Sequence, residues 1–166
     1  MNRRSMLTLS AAALLYLGAF NNARADETVK FRIIMHVTAV QTLDVSGVDG
    51  QTMTVVHYSG LASFADGSVG TANLTATTDY NKGSGTYAGY YNIVLKDGST
   101  ITYKATNVAA RLEGTVTNFP DAPVSIVRGT GRFDGAKGDG ITGGQRLTPL
   151  AVGAETYQDV TLNIKK

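Results

Sequence analysis

The chain has 166 residues, no cysteine, and fifteen lysines and arginines against thirteen aspartates and glutamates, a formal net charge of +2. A charge so small and so dispersed leaves no electrostatic footprint for nucleic acid or an anionic membrane surface. Without cysteine there are no disulfide staples, no thiolate catalysis and no sulfur metal sites, so one ordinary core must hold a length suited to a single domain.

The first predicted element is an export signal over residues 1–25. Arg3 and Arg4 precede an apolar run from Met6 to Phe20, and Ala23-Arg24-Ala25 supplies a small-residue cleavage site. Thr8, Ser10 and Gly18 interrupt the run, which is too short for a lasting span, so no membrane span is expected after the signal is removed. The paired arginines also fit a twin-arginine leader. Either route predicts a periplasmic or secreted product, a domain of residues 26–166. Arg3, Arg4 and Arg24 leave with the signal, which takes the bases to twelve and the domain close to neutral.

From Thr28 onward the chain shows short segments rich in Val, Ile, Thr and Tyr between glycine-bearing turns, and no long window of helical period. The fold class is therefore all-β. Val29, Phe31, Ile33, Met35 and Val37 alternate with more polar neighbours in a first strand running towards Asp44, and Asp49-Gly50 supplies a turn. Thr52 to Phe64, then Val69 to Tyr80, read as the next two strands around Asp66-Gly67. Tyr87 to Lys96 and Ser99 to Asn107 form the clearest hairpin, about Asp97-Gly98. Val108 to Asn118 reads as a sixth strand. Pro120 and Pro123 each lack a backbone donor and are expected to break the ladder before a strand from Val124 to Arg128. Tyr157 to Ile164 alternates cleanly as the last. Some eight strands at this spacing build a closed barrel or a sandwich, and closure removes edges that recruit other chains.

The segment GTGRFDGAKGDG, from Gly129 to Gly140, lacks what a nucleotide loop needs. Asp134 stands where a dinucleotide fingerprint has its third glycine, Lys137 has no preceding glycine and no following Ser or Thr, and no helix follows. Asp134 and Asp139 offer oxygens without the ligand spacing of a calcium loop. Its glycines read as the corner of a barrel. With Val127 and Arg128 before it, the segment resembles the GGTG-x-F-x-x-A-x-G stretch of dirigent proteins and the related stretch of allene oxide cyclases. Gly129, Thr130, Gly131, Phe133, Gly135, Ala136 and Gly138 match one or both, and Arg128 departs from the leading glycine. The resemblance implies an eight-stranded antiparallel β-barrel, often a homotrimer, with an apolar cavity open at one end. It also implies a small hydrophobic or phenolic ligand, handled without metal or organic cofactor: cyclisation or isomerisation in one family, stereocontrol of radical coupling in the other.

The residues themselves leave the chemistry open. His36 and His57 lie on the first two strands without a third metal ligand, and either is a candidate general base if it faces the cavity. Arg111 and Glu113 share one face of a strand, opposite Leu112. Pointing inward, Glu113 would steady a cation or move a proton while Arg111 steers an acidic group; pointing outward, they are a weak surface pair. Tyrosines, Tyr58 and Tyr103 among them, offer an apolar wall with one hydrogen bond, which suits a phenolic or lipid-like guest. The alternatives to a cofactor-free cyclase, isomerase or dirigent-type barrel are a lipocalin-like carrier and a structural module with a filled barrel.

Overall fold

The computed structural model describes residues 26–165, so the expected export signal lies outside the described residues. Eight strands follow one another: β1 Glu27–Asp44, β2 Gln51–Phe64, β3 Val69–Asn81, β4 Ser84–Leu95, β5 Thr100–Glu113, β6 Val116–Thr130, β7 Lys137–Arg146 and β8 Glu155–Lys165. Each pairs antiparallel with the next, and β8 returns to pair with β1, so the sheet closes into an eight-stranded antiparallel barrel. Closure leaves every strand with two partners, which removes the exposed edges of an open sandwich. Among the described residues, no helix is long and apolar enough to cross a membrane.

Alternation decides which side chains enter the barrel. In β3 it is strict: Ala72, Leu74, Ala76, Thr78 and Tyr80 are buried while their neighbours are exposed. Elsewhere a bulge switches the inward parity. In β1 the inward set runs from Val29 to Val37, the pairing with β2 slips between Val37 and Ala39, and Val40 then packs against the core. In β5 the inward residues pass from Ala105 to Val108 across a slip opposite Tyr87 and Gly89, where Asn107 takes a positive φ of 55°. An extra residue at each such point bends the strand and increases its twist, as a small barrel requires.

Three features differ from the reading of the sequence. Ser99–Asn107 and the start of Val108–Asn118 are one strand, β5, which turns at Gly114 before β6 begins. The Asn107 bulge had the look of a strand end because its polar pair, Thr106 and Asn107, interrupts the alternation. Nor do the prolines end a strand. β6 runs through Pro120 and Pro123, and the missing donors are absorbed by a slip against β7 between Phe119 and Ala122 and by a break in the β5 ladder between Asn118 and Val124. The third difference is β7 itself, KGDGITGGQR, whose four glycines give it little strand propensity.

The glycine-rich segment closes one end of the barrel. Gly131–Phe133 makes a single 3-10 turn between β6 and β7, and the Phe133 ring is fully buried. Gly131 has a φ of 60°, which turns the chain back, and the amide of Arg132 donates to Ser99 Oγ at 2.9 Å. Gly129 lies directly beneath Phe133: a Cβ there would sit 2.0 Å from the Phe133 carbonyl oxygen. Gly129→Ala is therefore expected to destabilise the fold by about 1–3 kcal/mol through overpacking, read as a lower midpoint in a urea titration. An unchanged midpoint would show that the floor yields freely.

Candidate functional site

The lower part of the interior is filled. Tyr91 and Tyr103 stack with ring centroids 4.6 Å apart, and Phe31 packs on Phe64 at 4.9 Å and edge-on to Tyr103 at 6.3 Å. Burial of this aromatic surface, with that of aliphatic residues such as Ile33, Met35 and Leu162, stabilises a core without disulfides. Above the stack the interior becomes polar. Tyr87 and Tyr91 share a hydrogen bond at 3.0 Å between their phenols, and Gln158 Nε2 donates to the Tyr87 oxygen at 3.0 Å. The Tyr87 ring meets Phe119 edge-on at 5.4 Å.

Between this network and the open end lies a small chamber, whose walls include Val56, Tyr58, Thr78, Tyr80, Phe119 and Gln158. It leaves about 20 Å³ for the centres of water molecules, room for one water rather than for an organic guest. Three buried polar atoms on its wall, Thr78 Oγ1, Thr156 Oγ1 and Gln158 Oε1, have no hydrogen-bond partner in the chain. Each such atom costs about 1–3 kcal/mol when left unpaired, so a chamber lined this way is built to receive a polar group.

The chamber leads towards a wider mouth. Thr54, Tyr80, Leu112, Arg146, Pro149 and Leu150 line it, and it leaves about 240 Å³ by the same measure. Arg146, the last residue of β7, is only 2% exposed. Its Nε donates to the Thr148 carbonyl at 3.1 Å and its Nη2 to Thr117 Oγ1 at 2.8 Å, with the guanidinium 6.0 Å from the centre of the Phe119 ring. The ion pairs among the described residues, Arg32 with Asp159 and Lys82 with Asp49, do not include it. Burial raises the Tyr58 phenol above its ordinary range and pushes Tyr80 up to about 12, each partly opposed by the positive charge of Arg146 beside it. Both phenols are therefore neutral donors at physiological pH.

The residues singled out in the sequence divide between the two faces. Tyr58 lines the chamber beside Arg146, and Tyr103 lies deeper, fully buried, its hydroxyl without a partner. His36 and His57 are exposed on the outside of β1 and β2, where His57 Nδ1 lies 3.0 Å from Thr75 Oγ1. They are also offset along the sheet, since His36 pairs with Ser59 and His57 with Ala39. Arg111 and Glu113 are exposed on either side of Leu112, which reaches the mouth. The outward one of their two orientations is thus the one observed.

Arg146, Gln158, Thr78 and Tyr80 complete the site. Gln158 was legible in principle, because it shares the parity of Val160, Leu162 and Ile164 in β8, and a polar residue on an apolar face marks an interior polar group. Arg146 carried no such signal, since the glycines around it hid the strand that gives it a face.

No family model matches the sequence, and no curated protein matches it either. Solved structures of similar fold do exist. A pterocarpan synthase dirigent protein is 14% identical with a TM-score of 0.48, covering 97% of this chain and 98% of that one. Pyocyanin demethylase is 17% identical with a TM-score of 0.47, over 81% of this chain and 99% of its own. A second pterocarpan synthase dirigent protein is 11% identical, again at 0.47, over 84% and 95%.

Proposed function

We propose that the protein is an exported barrel that binds a small hydrophobic or phenolic molecule at the mouth, with the polar end of the guest reaching the chamber. The observation that carries this reading is the set of unpartnered buried atoms, Thr78 Oγ1, Thr156 Oγ1 and Gln158 Oε1, in a wall whose other residues, Val56, Leu74 and Phe119 among them, are apolar or aromatic. A filled structural barrel gains stability by replacing such atoms with apolar ones, whereas a binding site keeps a few polar groups to fix orientation. The size of the mouth suits a compact guest. Binding and the restriction of conformers are what this wall supplies. The lipocalin-like carrier is favoured over acid–base chemistry inside the barrel by one placement: Glu113, His36 and His57, the candidate proton movers, are on the outside.

Native mass spectrometry of protein purified from its host compartment, followed by titration with fatty-acid and phenolic probes, tests the proposal. A retained small molecule, or saturable binding that Gln158→Leu weakens by about tenfold, is the expected result. An empty protein that binds neither class of probe would leave the filled structural module as the better reading.

A further inference from the structure

A guanidinium almost wholly removed from water, with no carboxylate to neutralise it, is costly to keep. Removing an ion from water costs several kcal/mol even after relaxation, and the penalty is recovered when a counter-charge with good geometry is supplied. The partners of Arg146 within the chain are neutral: the Thr117 hydroxyl, the Thr148 carbonyl and the faces and phenols of Phe119, Tyr58 and Tyr80. Acidic residues on the flanking elements do not replace them, for Glu113 at the end of β5 and Glu155 at the start of β8 are both exposed on the outer face.

Resting on the small-molecule reading above, we infer that Arg146 is the anchor for the carboxylate of a hydrophobic organic acid, which enters at the mouth and is held by the guanidinium and the Tyr80 hydroxyl. The geometry has the required parts. Arg146 lines the mouth from within, where only neutral groups share its N–H donors, and its planar fork matches the two oxygens of a carboxylate. Thr117 and Thr148 hold the other edge of the fork, which fixes its orientation before a ligand arrives. Tyr80 borders both mouth and chamber and keeps its proton, so it donates to the anion rather than repelling it. Leu112, Pro149 and Leu150 on the same rim offer the apolar body of the acid a surface.

The experiment compares acids with neutral partners of the same shape: octanoate with octanol and cinnamate with cinnamyl alcohol, by isothermal titration calorimetry on the signal-free protein. The acids are expected to bind about tenfold or more tightly than their alcohols, and Arg146→Met to remove that preference while alcohol binding remains. In the wild-type protein, the Arg146 Nε–H resonance is expected to move with the acids and not with the alcohols, a readout that survives if the Met variant fails to fold. Equal binding of acid and alcohol, a preference that persists in Arg146→Met, or a silent Nε–H resonance would overturn the carboxylate anchor and leave the small-molecule reading standing. Failure of all four probes to bind would remove the small-molecule reading and the anchor with it.

Discussion

Replacing Phe133 with alanine is expected to cost about 3–5 kcal/mol, the largest loss from any single truncation of the barrel floor. The ring is fully buried beneath the interior stack, and the chain is shaped around it: Gly131 turns back at positive φ, Gly129 yields the space a Cβ would fill, and the Arg132 guanidinium packs over the ring at 4.7 Å. Truncation opens a cavity that closed strands cannot collapse into, because each strand is held by two neighbours. A domain of this size has about 5–15 kcal/mol of stability in total, so the variant should lie near the edge of folding at ambient temperature. Urea unfolding followed by circular dichroism measures it, with Phe133→Leu recovering most of the loss. A loss in Phe133→Ala below about 1 kcal/mol would mean that the floor is not part of the cooperative core.

Alkali is expected to unfold the barrel in one step while its inner tyrosines are still protonated. Burial raises the phenols of Tyr58, Tyr80 and Tyr87, and drives Tyr91 and Tyr103 well above the ordinary value of 10.0; Tyr80 reaches about 12. The folded state thus favours the neutral phenols, and their contribution is fully present below the unfolded value near pH 10. Above it the unfolded chain has fewer bound protons than the folded one, so stability falls as pH rises through the folded values. Every tenfold by which folding weakens the acidity of a phenol is worth about 1.4 kcal/mol, and several phenols act together. Tyrosinate absorbance from the five inner phenols should therefore appear in step with loss of the β signal, between about pH 10 and 12. Ionisation of those phenols near pH 10 in a barrel that keeps its β signal would contradict their burial.

The fold was legible where period and turn chemistry agreed. The first four strands, from Glu27–Asp44 to Ser84–Leu95, are bounded by glycine turns and alternate over long runs, so their faces follow from the sequence except beyond the β1 bulge after Val37. The next part was legible only in outline. Around Asn107, Pro120 and Val127 an extra residue shifts the inward parity, and a bulge is set by pairing with a neighbouring strand rather than by local propensity. β7 shows the same limit more sharply. A run with four glycines becomes a strand because β6 and β8 stand on either side of it, and their ladders outweigh its poor propensity.

The candidate site depends on that second part. Tyr58 and Tyr103 were singled out only as tyrosines suited to a ligand wall, their faces left open, whereas the glycine-rich segment was recognisable as a corner rather than a phosphate loop, because it lacks the residues such a loop needs. Strand alternation is local, so the sequence by itself determined the all-β class and the role of Gly129 to Gly140 as scaffold. Closure is not local. Only the tertiary structure decided that the barrel is filled at the Phe133 end and open at the other, that His36, His57 and Glu113 face outward, and that Arg146 is enclosed among neutral partners. The environment of that guanidinium is made by β7, β6, β3 and β2 together with the 148–150 loop, segments far apart in the chain, and its cost in free energy exists only once they have met.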